Sequence, residues 1–218
     1  MSSQLSAPSD QALEYDDAPV AAADSGRVAL GRRAIGLWLL ITGLVGAVAS
    51  FLLLHERVQL WQDPDHTTAC DINPWVSCGQ VMGSWQASTF GFPNIFIGVV
   101  GFPLLVAVAV SVLAVARFPR WYWLGLQAGA IFAFGFCIWL WANAVYVIGV
   151  LCPYCMVVWA AVIPFFVATT ARNIIHGVIP ASAGVKRIAS EWWWVAVVVI
   201  YLLVFASILE RFSYAFTG

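Results

Sequence analysis

Charged residues are scarce in this chain. Only 10% of its 218 residues are Asp, Glu, Lys or Arg, whereas a soluble domain carries about 25%. The formal net charge of −1 excludes the strongly basic surface that nucleic-acid binding requires. Apolar residues make up 62% of the chain and fall in long uninterrupted stretches. We therefore expect an integral membrane protein whose solvent is lipid.

Residues 1–30 lack the apolar side chains that a folded core needs. The segment is rich in Ala, Ser and Asp, and Tyr15 is its single aromatic residue. It also lacks the basic-then-apolar form of a cleaved signal peptide. So little apolar surface does not offset the entropy cost of ordering the chain. The sequence therefore predicts a disordered cytoplasmic tail over residues 1–30.

Five apolar segments are each long enough to cross a bilayer, which takes about 20 helical residues. Hydrocarbon requires each span to close its own backbone hydrogen bonds, and a helix does so. We predict an all-α integral membrane protein with a four-helix transmembrane bundle over residues 31–175. Residues 176–218 then form a cytoplasmic loop, a fifth transmembrane helix and a short outer tail. The predicted spans are 34–54, 94 or 95–116, 121–150, 153–171 and 192–209, of which the last is the shortest.

Basic residues concentrate on one side of these spans. With the N-terminus inside, only Arg57 and Arg211 fall in outer segments, so the positive-inside rule favours a cytoplasmic N-terminus. Two cysteine pairs then lie at the outer side, one of them in an outer loop over residues 55–93. Disulfides persist on that side of a bacterial plasma membrane or in the endoplasmic reticulum lumen. The cytoplasmic basic residues are Arg27, Arg32, Arg33, Arg117, Arg120, Arg172, Lys186 and Arg187.

The run Cys152-Pro153-Tyr154-Cys155 opens the fourth span. Its spacing places both sulfurs on one side of a first helical turn, and Pro153 suits the first helical position. The unpaired N–H groups and positive dipole at a helix start favour a thiolate. These conditions are typical of a redox-active dithiol, with a static disulfide or a reduced pair as the alternative. Met156 follows where haem attachment requires His.

Cys70 and Cys78 are separated by seven residues in the outer loop. Such a pair is either a structural disulfide or a movable dithiol that exchanges electrons with the inner pair. A four-cysteine zinc site fits poorly, because zinc ligands usually come in pairs with two to four residues between them. Cys137 lies in the middle of the third span, where we expect it to pack as a small hydrophobe.

These residues resemble the vitamin K epoxide reductase (VKOR) family, in its bacterial form without a fused thioredoxin domain. The resemblance covers about residues 34–171. It implies a four-helix bundle around a quinone, with loop cysteines that carry electrons from a thioredoxin-fold protein to the inner pair. The motifs that support it are Cys70-Asp71, Ser77-Cys78 with the following Gly79-Gln80-Val81-Met82-Gly83-Ser84, Phe90-Gly91-Phe92-Pro93, and Cys152-Pro153-Tyr154-Cys155.

The resemblance also implies a role for each of the four cysteines. Cys70 would meet the partner protein, Cys78 would attack the inner disulfide at Cys152, and Cys155 would deliver electrons to the quinone. In fused relatives a further helix carries the thioredoxin domain. Here only a short tail follows the fifth span, so we expect the partner to be a separate thioredoxin-fold, DsbA-like protein.

Six further residues are expected to bind the quinone or support the site. Ser84 matches a loop Ser/Thr of the family, although a turn residue is the alternative. Asn94 matches a polar residue that hydrogen-bonds a quinone carbonyl, although a helix cap is the alternative. Trp159 lies one turn below Cys155, where animal members have Tyr, and can stack on a quinone or pack in the core. Its lack of a phenolic hydroxyl argues against transferring epoxide chemistry or inhibitor sensitivity. The remaining three are Met82, Asn143 and Tyr146.

The favoured function is therefore a membrane thiol:quinone oxidoreductase that reoxidises a periplasmic thioredoxin-fold protein and supports disulfide formation. The expected electron acceptor is a quinone of the menaquinone, ubiquinone or phylloquinone type, in a bacterial plasma membrane. No Asp, Glu or His falls within a predicted span, so the sequence indicates no proton donor and no charged transport pathway. The alternatives are a transporter with structural disulfides and a metal-handling protein with cysteine ligands.

Overall fold

The computed structural model describes residues 30–114 and 118–213. Within these ranges five helices are long and apolar enough to cross a membrane, which confirms the predicted all-α membrane fold. A 3-10 helix, Trp85–Ser88, lies in the outer loop, and a π-helical segment, Asn143–Ile148, extends the third span. The α-helices are α1 (Arg32–Gln62), α2 (Cys78–Gly83), α3 (Ile95–Leu113), α4 (Arg120–Ala142), α5 (Pro153–Ile175) and α6 (Ala183–Phe212).

Several predicted boundaries differ from the observed helices. The predicted tail over residues 1–30 lies outside the described residues except for Leu30, which is buried. The end of the second span at Ala116, and Arg117 beside it, also lie outside them. The helix that contains the fifth predicted span, 192–209, is longer than that span, because α6 has 30 residues. Its charged first turns, including the Arg187–Glu191 ion pair, continue the helix beyond the apolar segment that the sequence revealed.

Small residues allow α1 and α3 to pack closely. A Cβ atom on Gly43 would lie 2.9 Å from Val106, and one on Gly46 would collide with the ring of Phe102. In lipid, helix association depends on close van der Waals packing of this kind. α1 also packs on α5, which packs in turn on α4 and α6. Within the described residues α3 and α4 do not pack extensively on each other, and residues of both helices line a cavity in the gap between them.

The helix that contains the fourth predicted span, 153–171, is longer than that span, because α5 continues to Ile175. Arg172 is buried, and its guanidinium carbon lies 3.3 Å from the ring centroid of Trp123. It also donates to the side-chain oxygen of Asn173. The aromatic face and this hydrogen bond stabilise the charge, so Arg172 does not mark the helix end.

α6 contacts the rest of the bundle at three levels. At the end away from the cysteine pairs, Trp193 packs edge-on to Trp38 of α1, with ring centroids 5.4 Å apart. In the middle, the Tyr201 hydroxyl donates to the carbonyl oxygen of Ala160 in α5. At the cysteine end, Phe212 is buried. α6 is therefore attached along its length rather than at one point.

Candidate functional site: two adjacent cysteine pairs

A short parallel bridge joins the chain segments that precede the two cysteine pairs. The N–H of Ser77 donates to the carbonyl of Leu151 at 3.0 Å, and the N–H of Leu151 donates to the carbonyl of Trp75 at 2.8 Å. The next residues along the chain are Cys78 and Cys152. Their sulfurs lie 3.2 Å apart, so the bridge places one sulfur of each pair within reach of the other.

A glycine turn leads from the π-helical segment into this bridge. Gly149 adopts a left-handed backbone conformation, with φ of 72°, which residues with a Cβ rarely adopt. The N–H groups of Gly149 and Val150 both donate to the carbonyl of Ala144. The chain thus reverses in a few residues and arrives at Leu151 already extended.

The two pairs are in different redox states. Cys70 and Cys78 form a disulfide, whereas Cys152 and Cys155 are free thiols. Cys152 is the N-cap of α5 and accepts the N–H of Cys155 at 3.3 Å, with Pro153 in the first helical position as expected. The hydrogen bond from the Cys155 side chain is the main cause that lowers the pKa of Cys152, and it outweighs burial, which acts the other way. The sulfur that faces the loop disulfide is therefore the one that favours the thiolate.

Asp71 organises the loop around the disulfide, although it was not among the predicted site residues. One carboxylate oxygen accepts the Ser77 hydroxyl at 2.6 Å and the Gly79 N–H at 3.0 Å. The other accepts the N–H of Thr68 at 2.9 Å. Burial raises the pKa of Asp71, but these hydrogen bonds together outweigh it, and the net pKa is lowered. A charged carboxylate thus holds both ends of the disulfide-closed loop.

The C-terminal turns of α1 cover the loop disulfide. Glu56 is buried, and its carboxylate accepts the N–H of Ala69 at 3.3 Å and lies 3.5 Å from the ring nitrogen of His66. Arg57 donates to the carbonyl of Met82 at 2.7 Å. Cys70 is consequently only 3% exposed. Any thiol that attacks Cys70 must therefore first displace this part of the loop.

A cavity of about 400 Å³ lies beside the inner pair. Its wall is formed by α1, α3, α4, α5 and the outer loop, and it adjoins the gap between α3 and α4. Gly101 and Gly129 line it from opposite sides, and a Cβ atom on either would meet no other atom within 4 Å. The predicted site residues that line it are Cys152, Cys155, Trp159, Ser84, Asn94 and Asn143.

Aromatic residues connect the outer loop to α4 above the gap. Phe90 packs on Phe136 with ring centroids 5.4 Å apart, and Trp85 packs on Trp139 at 6.1 Å. The loop therefore rests on α4 and forms a roof over the cavity.

Ser84 and Asn94 line the cavity, but each already makes hydrogen bonds within the loop. The Ser84 hydroxyl donates to the carbonyl of Val81 at 2.7 Å. The Asn94 side chain donates to the carbonyl of Gln86 at 2.6 Å and accepts the N–H of Thr89 at 3.2 Å. Asn94 stands at the N-cap position of α3 without a side-chain capping bond. Both residues thus shape the roof of the cavity.

Other predicted residues lie differently. Met82 is buried against the cysteine sulfurs and does not line the cavity. Tyr146 was expected to face the cavity with Asn143, but it is half-exposed and packs edge-on to Trp141. The wider π-helical turn that begins at Asn143 rotates later residues away from the α-helical face. Cys137 lines the cavity and is not simply enclosed by the core.

Comparison with known sequences identifies the family. The profile of the Vitamin K epoxide reductase family matches residues 37–170, more than half of the chain. The protein is a member of the VKOR family. No curated protein sequence matches the chain closely. A VKOR protein is a membrane thiol–disulfide oxidoreductase that generally uses a quinone as its electron partner, and the loop disulfide beside two free thiols agrees with that class. The matched region extends from α1 into α5 and leaves α6 outside it.

Proposed function

We propose that this VKOR protein transfers two electrons from a separate thioredoxin-fold protein to a membrane quinone, and so supports disulfide formation outside the membrane. The observation that carries the proposal is the position of Cys152. Its sulfur lies 3.2 Å from Cys78 of the loop disulfide, while Cys155, its partner in the inner pair, lines the apolar cavity. Electrons that arrive at the loop thus have a continuous route to the membrane interior.

In the first step the partner's dithiol reduces the loop disulfide. A partner thiolate attacks the sulfur of Cys70 and releases Cys78 as a thiolate. The second partner thiol then attacks the mixed disulfide and releases Cys70. The partner leaves as a disulfide, and both loop cysteines are reduced.

In the second step the electrons move inward. The Cys78 thiolate attacks the sulfur of Cys152 in the Cys152–Cys155 disulfide and expels the Cys155 thiolate. Cys70 then attacks Cys78, which restores the loop disulfide and releases Cys152. The state described above, with the loop pair oxidised and the inner pair reduced, is the product of this step.

The cavity fits a quinone head group by size and by lining. Binding sites for small molecules occupy roughly 300–1,000 Å³ and are mostly apolar, and this cavity of about 400 Å³ carries Trp159 and the Cys155 thiol on its wall. The inner dithiol would give a bound quinone two electrons and two protons as Cys152 and Cys155 close to a disulfide. The gap between α3 and α4 is an apolar path by which a lipid-soluble molecule reaches the cavity from the side.

We assign the cysteine end to the outer face of a bacterial plasma membrane. Arg120, Lys186 and Arg187 lie on segments at the opposite end of the bundle, as the positive-inside rule favours for a cytoplasmic face. The N-terminus of α1 lies at that same end, where the carbonyl of Leu30 meets the His176 ring. The loop disulfide then faces the compartment in which disulfides persist.

The experiment replaces each of the five cysteines in turn by Ser in the purified protein. Quinone-dependent oxidation of a reduced thioredoxin-fold protein is then measured. We expect loss of turnover for Cys70, Cys78, Cys152 and Cys155. Cys137→Ser changes the cavity wall but removes no sulfur of the relay, so it should keep turnover and alter at most the KM for quinone. Normal turnover without Cys152 or without Cys155 would disprove the relay.

A further inference from the structure

α6 lies outside the region that matches the family, yet its outer end contacts the segment that precedes Cys152. Phe212 is 3% exposed and forms an apolar cluster with Val145 and Leu151. Trp75 and Met156 pack against the same cluster. Two of these residues, Trp75 and Leu151, are joined in the bridge that brings the cysteine pairs together. Phe212 therefore belongs to the apolar cluster that packs against that bridge.

The bridge is too small to be stable by itself. It consists of two backbone hydrogen bonds between isolated segments, and even a complete two-stranded hairpin is only marginally stable in water. An apolar side chain that packs behind Leu151 supplies the contact that the bridge lacks. Phe212 occupies that place.

The position of Phe212 along the membrane normal is fixed by a contact of Tyr201, which lies about three turns before it in α6. Tyr201 donates a 2.6 Å hydrogen bond to the carbonyl of Ala160 in α5, and α5 begins directly after Cys152. α6 is thus held in register with the same helix whose first turn carries the inner thiols. A shift of α6 along α5 would move Phe212 away from Leu151.

We propose that α6 is a positioning element for thiol exchange, in which Phe212 keeps Leu151 in the bridge and so holds Cys152 within reach of Cys78. The proposal rests on the thiol relay proposed above and gives α6 a part in it. Exchange between sulfurs requires a close and aligned approach, and a misplacement of about 1 Å lowers the rate by roughly 100-fold. Phe212 acts through the bridge and touches neither pair's reacting sulfurs in this role.

The first test measures the approach of the two sulfurs without a quinone. In a Cys70→Ala, Cys137→Ala, Cys155→Ala background only Cys78 and Cys152 remain of the five cysteines. Diamide takes two hydrogen atoms from these thiols and leaves a disulfide between them. We expect Phe212→Ala to slow this reaction by about 10- to 100-fold, and Phe212→Leu, which keeps an apolar side chain, to restore most of the rate.

The matched control is Phe205→Ala, on the same helix but 59% exposed, which should react at the unaltered rate. A Phe212→Ala protein that forms the disulfide as fast as this control would overturn the proposal. General damage to the fold is tested separately in a Cys70→Ala, Cys78→Ala background, with a small dithiol that reduces the inner pair directly. Phe212→Ala should leave quinone turnover intact there, and loss of that turnover would also overturn it.

The two proposals fail in different ways. A parent protein that reduces no quinone, but whose Cys78–Cys152 disulfide still forms more slowly with Phe212→Ala, would refute the quinone reductase function and retain the positioning role. A parent protein that reduces quinone, but whose Cys78–Cys152 disulfide forms equally fast with Phe212→Ala, would retain the quinone reductase function. That result would refute the positioning role of α6.

Discussion

The hydroxyl of Tyr201 donates a hydrogen bond to the carbonyl oxygen of Ala160, four residues before Pro164 in α5. In an uninterrupted α-helix that carbonyl would accept the N–H of residue 164, but proline has none. On a helix surface that faces lipid, no water is present to replace the missing donor. Tyr201 supplies the donor from a neighbouring helix, so a proline in one span is matched to a tyrosine in another.

Tyr201→Phe should therefore destabilise the bundle without changing its shape. Hydrogen bonds between membrane helices contribute about 0.6 kcal/mol on average and up to about 1.7, and we expect a loss in that range. Denaturant-induced unfolding in detergent measures it. Tyr146→Phe is the matched control, since Tyr146 is half-exposed at the cysteine end of the bundle. Equal losses for the two variants would contradict the role of the Tyr201 hydroxyl.

Asp71→Asn should loosen the outer loop at neutral pH. The amide has only one oxygen, so it cannot accept on both sides as the carboxylate does from Ser77, Gly79 and Thr68. We expect a cost of about 1–2 kcal/mol, at the lower end because the site is partly exposed. Hydrogen exchange of residues 68–79 reports the change, and Asp65→Asn in the same loop, at an exposed position, should have no effect.

The same carboxylate makes the loop sensitive to acid. Because the folded pKa of Asp71 is below its ordinary value, its stabilisation is fully present above the pKa of the unfolded chain, about 3.9. It is lost as the pH falls through the lower, folded pKa. The difference in loop protection between the parent and Asp71→Asn should thus be constant near neutrality and vanish in strong acid. A difference that persists below the folded pKa would show that the charge is not its cause.

Cys155→Ala should raise the pKa of Cys152. The hydrogen bond from the Cys155 side chain is the largest cause that lowers this pKa, and Ala removes it. The ultraviolet absorbance of the thiolate against pH, in a Cys137→Ala background with the loop disulfide intact, measures the shift. Asp71→Asn should move the pKa in the opposite direction, since the Asp71 charge raises it. A common direction for both variants would contradict this account.

Gly129→Leu should obstruct the cavity. A Cβ atom at Gly129 meets nothing within 4 Å, and the residue lines the cavity next to the gap between α3 and α4. A leucine there occupies space that a quinone needs, and we expect KM for quinone to rise about tenfold or more. Gly125→Leu, one turn earlier and outside the cavity wall, is the matched control. Formation of a disulfide between Cys78 and Cys152 by diamide should be unaffected by either variant.

The membrane spans and the cysteine pairs were predictable because their signals are local. Twenty apolar residues can only be a span, and two cysteines three positions apart at a helix start lie on one side of a turn. The length of α6 was not predictable, because its charged turns around Lys186 and Glu191 leave the hydrocarbon while the helix continues. The hydropathy pattern predicts where a span leaves the hydrocarbon, but it does not predict where the helix ends.

Contacts between distant segments were beyond the sequence. Asp71 stands beside Cys70 in the chain, but its role depends on Gly79 and Thr68, which become neighbours only when the loop folds. The pairing of Leu151 with Trp75 likewise joins segments far apart in the chain. Pro164 within an apolar span did predict an unpaired carbonyl four residues earlier, at Ala160. Nothing in the sequence indicated that Tyr201 would be its donor.

The near-complete burial of Cys70 determines which reductants the protein can accept. As long as Glu56 and Arg57 keep the loop packed on α1, small thiols in the surroundings cannot reach Cys70. They therefore cannot reduce the Cys70–Cys78 disulfide. Under the proposed function, the electron-donating protein displaces this part of the loop with its own binding energy. Selectivity among electron donors then depends on which of them can displace the loop that covers Cys70. Thiol–disulfide exchange follows only after that displacement.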